Sequence, residues 1–112
     1  MFTFKQGELH CEGVPIRRLA KRFGTPLYVY SRNHIVGQHQ ALDRAFRSVD
    51  HLLCYAVKAN SNLAVIRALA KAGAGFDIVS GGELYRVVKA GGDPRRCVFS
   101  GVGKTREEIE YA

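Results

Sequence analysis

Residues 52–60 read Leu-Leu-Cys-Tyr-Ala-Val-Lys-Ala-Asn, an apolar run that ends in a single lysine. A short unbroken apolar run predicts a strand of a parallel sheet, buried on both faces. Lys58 then follows the carboxyl end of that strand, which is the edge where α/β proteins bind ligands. Its amine is either a solvated charge or a nucleophile that forms a Schiff base with an aldehyde cofactor or a carbonyl substrate.

The segments around this run repeat a pattern of strand followed by helix. Apolar strands are predicted at Leu27–Tyr30, Leu52–Val57, Phe76–Val79 and Arg96–Phe99, and amphipathic helices at about 33–48, 63–72 and 83–90. The last three strands end about twenty residues apart, close to the length of one β/α module. The fold class is therefore α/β, and the repeat fits an α/β barrel and an open doubly wound sheet equally well.

The first residues form a unit of different character. Phe2–Phe4 and Leu9–Cys11 flank a turn-like segment and predict a hairpin. Pro15 suits a first helical position, and Gly24 with Pro26 would end the short helix that follows.

The last residues predict the opening turns of a helix. Thr105 and Glu108 have the spacing of a capping box, and no C-terminal stop signal follows them. We therefore expect these 112 residues to be part of a longer protein.

Composition narrows the class of protein. The net charge of +7 comes from basic residues scattered over predicted helix faces, which favours a solvated surface over a nucleic-acid-binding patch. The three cysteines lack CxxC spacing, which argues against a disulfide framework or zinc site and for a reducing compartment. No apolar run approaches the roughly 18 residues of a membrane span, so a soluble cytoplasmic protein without a membrane partner is expected.

Residues whose side chains could take part in catalysis or binding follow three successive strands. They are Lys58 and Asn60, the stretch Asp77–Glu83, and the stretch Ser100–Lys104. Asp77 lies in an otherwise apolar strand and needs a polar partner, so it either orients an active-site group or satisfies neighbouring backbone. Ser80 and Glu83 have capping-box spacing, and a helix start is favoured for them over contacts in a pocket.

Two other chemical patterns are weak. Residues 100–105 contain Gly-Lys-Thr, but Val98 stands where a phosphate loop requires its first glycine, so a loop and helix start is favoured. The histidines show no metal-ligand spacing with carboxylates or cysteines, and no metal site is predicted; they are His10, His34, His39 and His51.

Three motifs in a fixed order resemble those of the diaminopimelate decarboxylase family, which belongs to the alanine-racemase-like, fold-type III pyridoxal-phosphate enzymes. They are Tyr55-Ala56-Val57-Lys58-Ala59-Asn60, Gly75-Phe76-Asp77-Ile78-Val79-Ser80-Gly81-Gly82-Glu83-Leu84 and Phe99-Ser100-Gly101-Val102-Gly103-Lys104. Gly24–Tyr30 is similar to the segment that leads into the barrel of that family. The resemblance covers essentially the whole chain.

The resemblance implies the first part of a pyridoxal-phosphate-binding (β/α)8 barrel. Residues 32–112 would be its first, truncated modules, roughly three of eight, and residues 1–31 would belong to a β-rich second domain. Lys58 would end the first barrel strand as the catalytic lysine that holds pyridoxal 5′-phosphate as a Schiff base. Asp77 matches a position on the cofactor side of the pocket.

The activity implied for the full-length enzyme is decarboxylation of meso-2,6-diaminopimelate to L-lysine and carbon dioxide, the last step of lysine synthesis. The resemblance further implies a cytoplasmic homodimer with a small-molecule amino-acid substrate and no nucleic-acid partner. The family residues that stack on the cofactor ring, bind its phosphate, pair with its ring nitrogen and bind the substrate have no counterpart here, so this stretch alone is expected to be inactive.

Two alternatives stay open. An ornithine or arginine decarboxylase shares a Tyr-Ala-Val-Lys strand, although Ser80–Glu83 and Gly101–Lys104 favour diaminopimelate decarboxylase. A non-catalytic pyridoxal-phosphate-binding barrel protein would retain Lys58 equally well.

Overall fold

The computed structural model describes residues 1–112. Its first unit is an antiparallel sheet in the order β1 (Phe2–Lys5), β2 (Glu8–Cys11) and β3 (Val14–Pro15), followed by helix α1 (Ile16–Phe23). The turn between β1 and β2 has positive φ at Gln6 (49°) and Gly7 (76°), the backbone of a type I′ turn. The predicted hairpin is confirmed.

Two sequence-based details of this unit were wrong. Pro15 caps α1 in an extended conformation and pairs with His10, so the helix starts one residue later than predicted. Leu27–Tyr30 is not a strand, because no other strand lies beside it to share hydrogen bonds. Tyr28 is 85% exposed and Tyr30 57% exposed, as expected for an unpaired connecting segment.

The second unit repeats strand and helix. After helix α2 (Arg32–Ala45) come β4 (Cys54–Ala56), α3 (Leu63–Lys71), β5 (Gly75–Ile78), α4 (Gly81–Lys89), β6 (Cys97–Phe99) and α5 (Arg106–Tyr111). The strands form a parallel sheet in the order β4-β5-β6, with Phe76 opposite both Tyr55 and Cys97. The predicted α/β class and parallel sheet are confirmed. No helix combines the length and apolar character needed to cross a membrane.

One face of this sheet carries the core. Phe76 and Ile78 of β5 are at most 1% exposed and pack against apolar residues of α3 and α4, including Ile66 and Val87. The side chains that alternate with them point to the opposite face, which we call the open face. There Asp77 lies level with Ala56 and Val98, and Val98 is 52% exposed.

The packing of α4 on β5 depends on Gly92. A Cβ at this position would lie 2.6 Å from Val87 Cγ1 and 3.0 Å from Phe76 Cε2, and neither side chain is exposed enough to move aside. We expect Gly92→Ala to lower the free energy of unfolding of the complete protein by about 1–3 kcal/mol.

A second glycine provides the control. A Cβ at Gly37, within α2, would meet nothing within 4 Å, so Gly37→Ala should raise stability by about 0.5–1 kcal/mol. Denaturant unfolding of both variants checks the pair. Equal midpoints would show that Gly92 has room for a methyl group.

Candidate functional site

Lys58 lies at the carboxyl edge of the parallel sheet. It is the central residue of a 3₁₀ turn, Val57–Ala59, that follows β4 directly. Val57 is completely buried and anchors the turn in the core, whereas Lys58 is exposed and makes no hydrogen bond or ion pair. The predicted strand end is thus a turn that presents an unpartnered amine.

Polar contacts on both sides fix the position of this turn. The Tyr55 hydroxyl donates to the Asn60 carbonyl at 3.2 Å, and burial raises the pKa of this hydroxyl above its ordinary value. The Asn62 backbone N–H donates to Asn60 Oδ1 at 3.0 Å, and Asn62 Oδ1 accepts from the Ala64 N–H at the start of α3. The loop that carries Lys58 is therefore held to β4 and α3.

Asp77 has the polar partner that its position in an apolar strand requires. Ser100, directly after β6, donates its hydroxyl to Asp77 Oδ1 at 2.5 Å. The Ser100 backbone N–H donates to the Ile78 carbonyl at 2.8 Å, which continues the pairing of β6 with β5. Sequence reasoning placed Ser100 among the residues of interest but did not pair it with Asp77.

Ser80 and Glu83 start helix α4, as favoured from sequence. Ser80 Oγ accepts from the Glu83 N–H at 3.3 Å. Glu83 differs from a capping-box residue because its carboxylate accepts from the Val79 N–H, at 2.8 Å, and not from Ser80. Both side chains serve the strand-to-helix turn.

Glu108 links two helix starts. It completes the predicted capping box with Thr105, whose N–H donates to Oε2 at 3.0 Å, while Oε1 accepts from the Gly81 N–H at 2.8 Å. These two hydrogen bonds lower the pKa of Glu108 below its ordinary value of 4.5, and the bond from Gly81 has the larger effect. The sequence predicted the cap but not the connection to α4.

This contact predicts a pH dependence of stability. Because folding lowers the pKa of Glu108, the carboxylate stabilises the fold above pH 4.5 and loses that effect as pH falls through the folded-state value. We expect Glu108→Gln in the complete protein to lower the thermal midpoint at neutral pH, and the difference from wild type to shrink on acidification. Glu107→Gln, at a neighbouring acid without such bonds, is the control; a difference for Glu108→Gln that is constant with pH would contradict the assignment.

The Gly-Lys-Thr segment and the histidines make local contacts. Lys104 Nζ donates to the Gly101 carbonyl at 2.6 Å, within the loop before α5. The chain has no group of three or more histidine, cysteine, aspartate or glutamate side chains suited to hold a metal. His10 and His51 each contact a nearby backbone carbonyl, whereas His39 has both ring nitrogens buried without a partner.

The largest cavity does not coincide with Lys58. It is a mainly apolar groove of about 780 Å³ between α2 and β4, lined among others by Ile35, His39, Leu42 and Tyr55. It runs along β4, a strand that is paired on one side only. We place the candidate site at the strand ends, where the polar groups lie, and not in this groove.

Comparisons with known proteins identify the family to which this chain is similar. Residues 32–112 match the family model described as "Pyridoxal-dependent decarboxylase, pyridoxal binding domain". A diaminopimelate decarboxylase of Pseudomonas aeruginosa is 59% identical over 111 residues, which are 99% of this chain and 27% of that protein.

Two solved structures show the same fold. The crystal structure of diaminopimelate decarboxylase from M. jannaschii in co-complex with L-lysine aligns at 39% identity and a TM-score of 0.87, covering 99% of this chain and 28% of that one. A lysine/ornithine decarboxylase from Vibrio vulnificus, complexed with cadaverine, aligns at 29% identity and a TM-score of 0.77, covering 86% of this chain and 26% of that one. The chain spans about a quarter of the length of the relatives that it matches.

Proposed function

This chain belongs to the pyridoxal-dependent decarboxylase family, and we propose that it serves within a full-length enzyme that converts meso-2,6-diaminopimelate to L-lysine and carbon dioxide. The observation that carries the proposal is the unpartnered Lys58 amine at the carboxyl edge of a parallel sheet. The similarity to curated diaminopimelate decarboxylases over nearly the whole chain supports the substrate.

The residues around Lys58 fit pyridoxal 5′-phosphate. The cofactor supplies an aldehyde that condenses with an amine, and a conjugated ring that accepts the electron pair left when carbon dioxide departs. Lys58 offers the free amine, and the buried Val57 and the bonded Asn60 keep its backbone in place. Asp77 is the charged residue in its row of the open face, between Ala56 and Val98, and we propose it as a cofactor-side group.

Lys58 is suited to two tasks. Its amine would hold the cofactor at the carboxyl edge of the parallel sheet. When it is released by the substrate amine, the lysine amine could donate the proton that the α-carbon gains in place of carbon dioxide. Its exposure at a rigid strand end provides the access that both tasks require.

We also propose the domain division implied by the resemblance: residues 32–112 as the first modules of a (β/α)8 barrel and residues 1–31 as part of a β-rich domain. The presence of two separate sheets, one antiparallel and one parallel, supports this division. We further propose that the complete enzyme is a cytoplasmic homodimer that acts on a small amino acid. Light scattering on the complete enzyme tests whether it is a dimer.

Substrate assays on the complete enzyme test the activity. Formation of lysine and carbon dioxide from meso-diaminopimelate, with little turnover of lysine, ornithine or arginine, is the expected result. Preferential turnover of one of the other amino acids would favour the alternative function, an ornithine- or arginine-type decarboxylase. The similarity to the lysine/ornithine decarboxylase of Vibrio vulnificus supports that alternative. Cofactor binding without turnover of any of these amino acids would indicate a non-catalytic carrier.

A further inference from the structure

The open face of the parallel sheet brings together side chains from three strands. Alternation along β5 and β6, with Phe76 and Phe99 on the core side, puts the side chains of Asp77 and Ser100 on this face. Lys58 lies in the turn that follows Ala56, the neighbour of Asp77 on β4. Asp77 is level with Ala56 in the sheet, and Lys58 and Ser100 follow closely at the strand ends. Ser100 is the member of this set to which no role has yet been assigned.

We propose that Ser100 is a positioning residue that fixes the Asp77 carboxylate toward the Lys58 amine and the cofactor bound there. This inference rests on the proposed function. Ser100 acts through Asp77, since its hydroxyl contacts the carboxylate directly and its backbone is tied to β5.

The geometry of the contact supports orientation. The hydroxyl donates to Oδ1 at 2.5 Å, a distance typical of strong bonds from a hydroxyl to a carboxylate. The Ser100 N–H is bonded to the Ile78 carbonyl at 2.8 Å, so the hydroxyl is carried by fixed backbone. Asp77 Oδ2 makes no hydrogen bond or ion pair and remains available on the open face.

Asp77 acts electrostatically on Cys54 of β4, the strand that precedes the Lys58 turn. Burial, and second the Asp77 carboxylate, raise the pKa of the Cys54 thiol on β4. Cys54 and Lys58 are the titratable groups on this side of β4 and its turn. After β6, the Lys104 amine donates a hydrogen bond to the Gly101 carbonyl and makes no hydrogen bond or ion pair with Asp77. A carboxylate held in one orientation would stabilise positive charge at the Lys58 nitrogen more effectively than a mobile one.

The test is a double-mutant cycle in the complete enzyme loaded with pyridoxal 5′-phosphate. The readout is the midpoint of the pH titration of the visible band of bound cofactor, measured together with kcat/KM and the thermal midpoint. Asp77→Asn should move the titration midpoint to lower pH by about one unit or more, because the negative charge that the inference directs toward the nitrogen is lost. Ser100→Ala should move it in the same direction by a smaller amount.

Two further variants separate positioning from general structural support. In the Asp77→Asn background, Ser100→Ala should cause no further shift, and Ser100→Thr, which keeps the hydroxyl, should retain the wild-type midpoint. An equal shift from Ser100→Ala with and without Asp77, or no shift at all, would overturn the inference. If Ser100→Ala does not fold, Ser100→Thr and Asp77→Asn decide. A shifted titration midpoint in Ser100→Thr, or an unchanged midpoint in Asp77→Asn, would overturn the inference.

The same experiment distinguishes this inference from the proposed function. A wild-type enzyme that forms no visible cofactor band, or that decarboxylates none of the amino acids assayed, would refute the proposed function. A wild-type enzyme with both properties, together with a Ser100→Ala enzyme whose titration midpoint equals that of wild type, would refute only the role of Ser100.

Discussion

Replacing Lys58 by alanine should abolish the covalent attachment of pyridoxal 5′-phosphate in the complete enzyme and lower kcat/KM by at least about 10³-fold. Lys58 makes no hydrogen bond or ion pair, so its loss removes an amine without leaving a buried partner unsatisfied. The fold should therefore stay intact while the chemistry fails. Absorption spectra, the thermal midpoint and initial rates check the three parts of this expectation.

Lys71→Ala is the matched control. Lys71 is also an exposed lysine, but it lies in the last turn of α3, away from the strand ends. Its replacement should leave cofactor absorption and rates unchanged. A Lys58→Ala enzyme that keeps the visible band and the activity of the Lys71→Ala enzyme would show that another amine holds the cofactor.

The largest effect on stability should come from Phe76→Ala, at about 3–5 kcal/mol. Phe76 is 0% exposed, and it is the largest of the fully buried side chains. It lies at the centre of β5, between β4 and β6, and α3 and α4 cover its face of the sheet. Truncation would leave a cavity that the paired strands on both sides cannot close.

Denaturant unfolding of the complete protein, followed by far-ultraviolet circular dichroism, measures this loss. Arg67→Ala, at an exposed position of α3, should change the free energy of unfolding by no more than about 0.5 kcal/mol. Hydrogen exchange adds a local measure, since the amides of β4 and β6 should lose protection in Phe76→Ala. Similar unfolding midpoints for the two variants would contradict the assignment of Phe76 to the core.

Local features of the fold were predictable from the sequence because they depend on neighbouring residues. The Gln6–Gly7 turn and the capping box of Thr105 and Glu108 are set by residue types within a few positions of each other. The alternation of strands and helices followed from hydrophobic periodicity and glycine stops. Leu27–Tyr30 shows the limit, because its apolar pattern suits a strand but no partner strand pairs with it.

The contacts of the candidate site were less predictable because they join distant segments. The sequence indicated that Asp77 needs a partner, but only the register of β5 against β6 brings Ser100 to it across 23 positions. Glu108 likewise reaches Gly81 across 27 positions. Residue spacing along the chain contains no information on such pairs, whereas the position of Lys58 at a strand end followed from the run that precedes it.

The most direct test of the proposed role of Lys58 is to locate the cofactor chemically. The complete enzyme is reduced with borohydride, which fixes the cofactor to its lysine, then digested and mapped by mass spectrometry. We expect the phosphopyridoxyl mass on the peptide that contains Lys58, with fragment ions that assign it to that residue. A stoichiometric label on any other lysine, with Lys58 unmodified, would contradict the account.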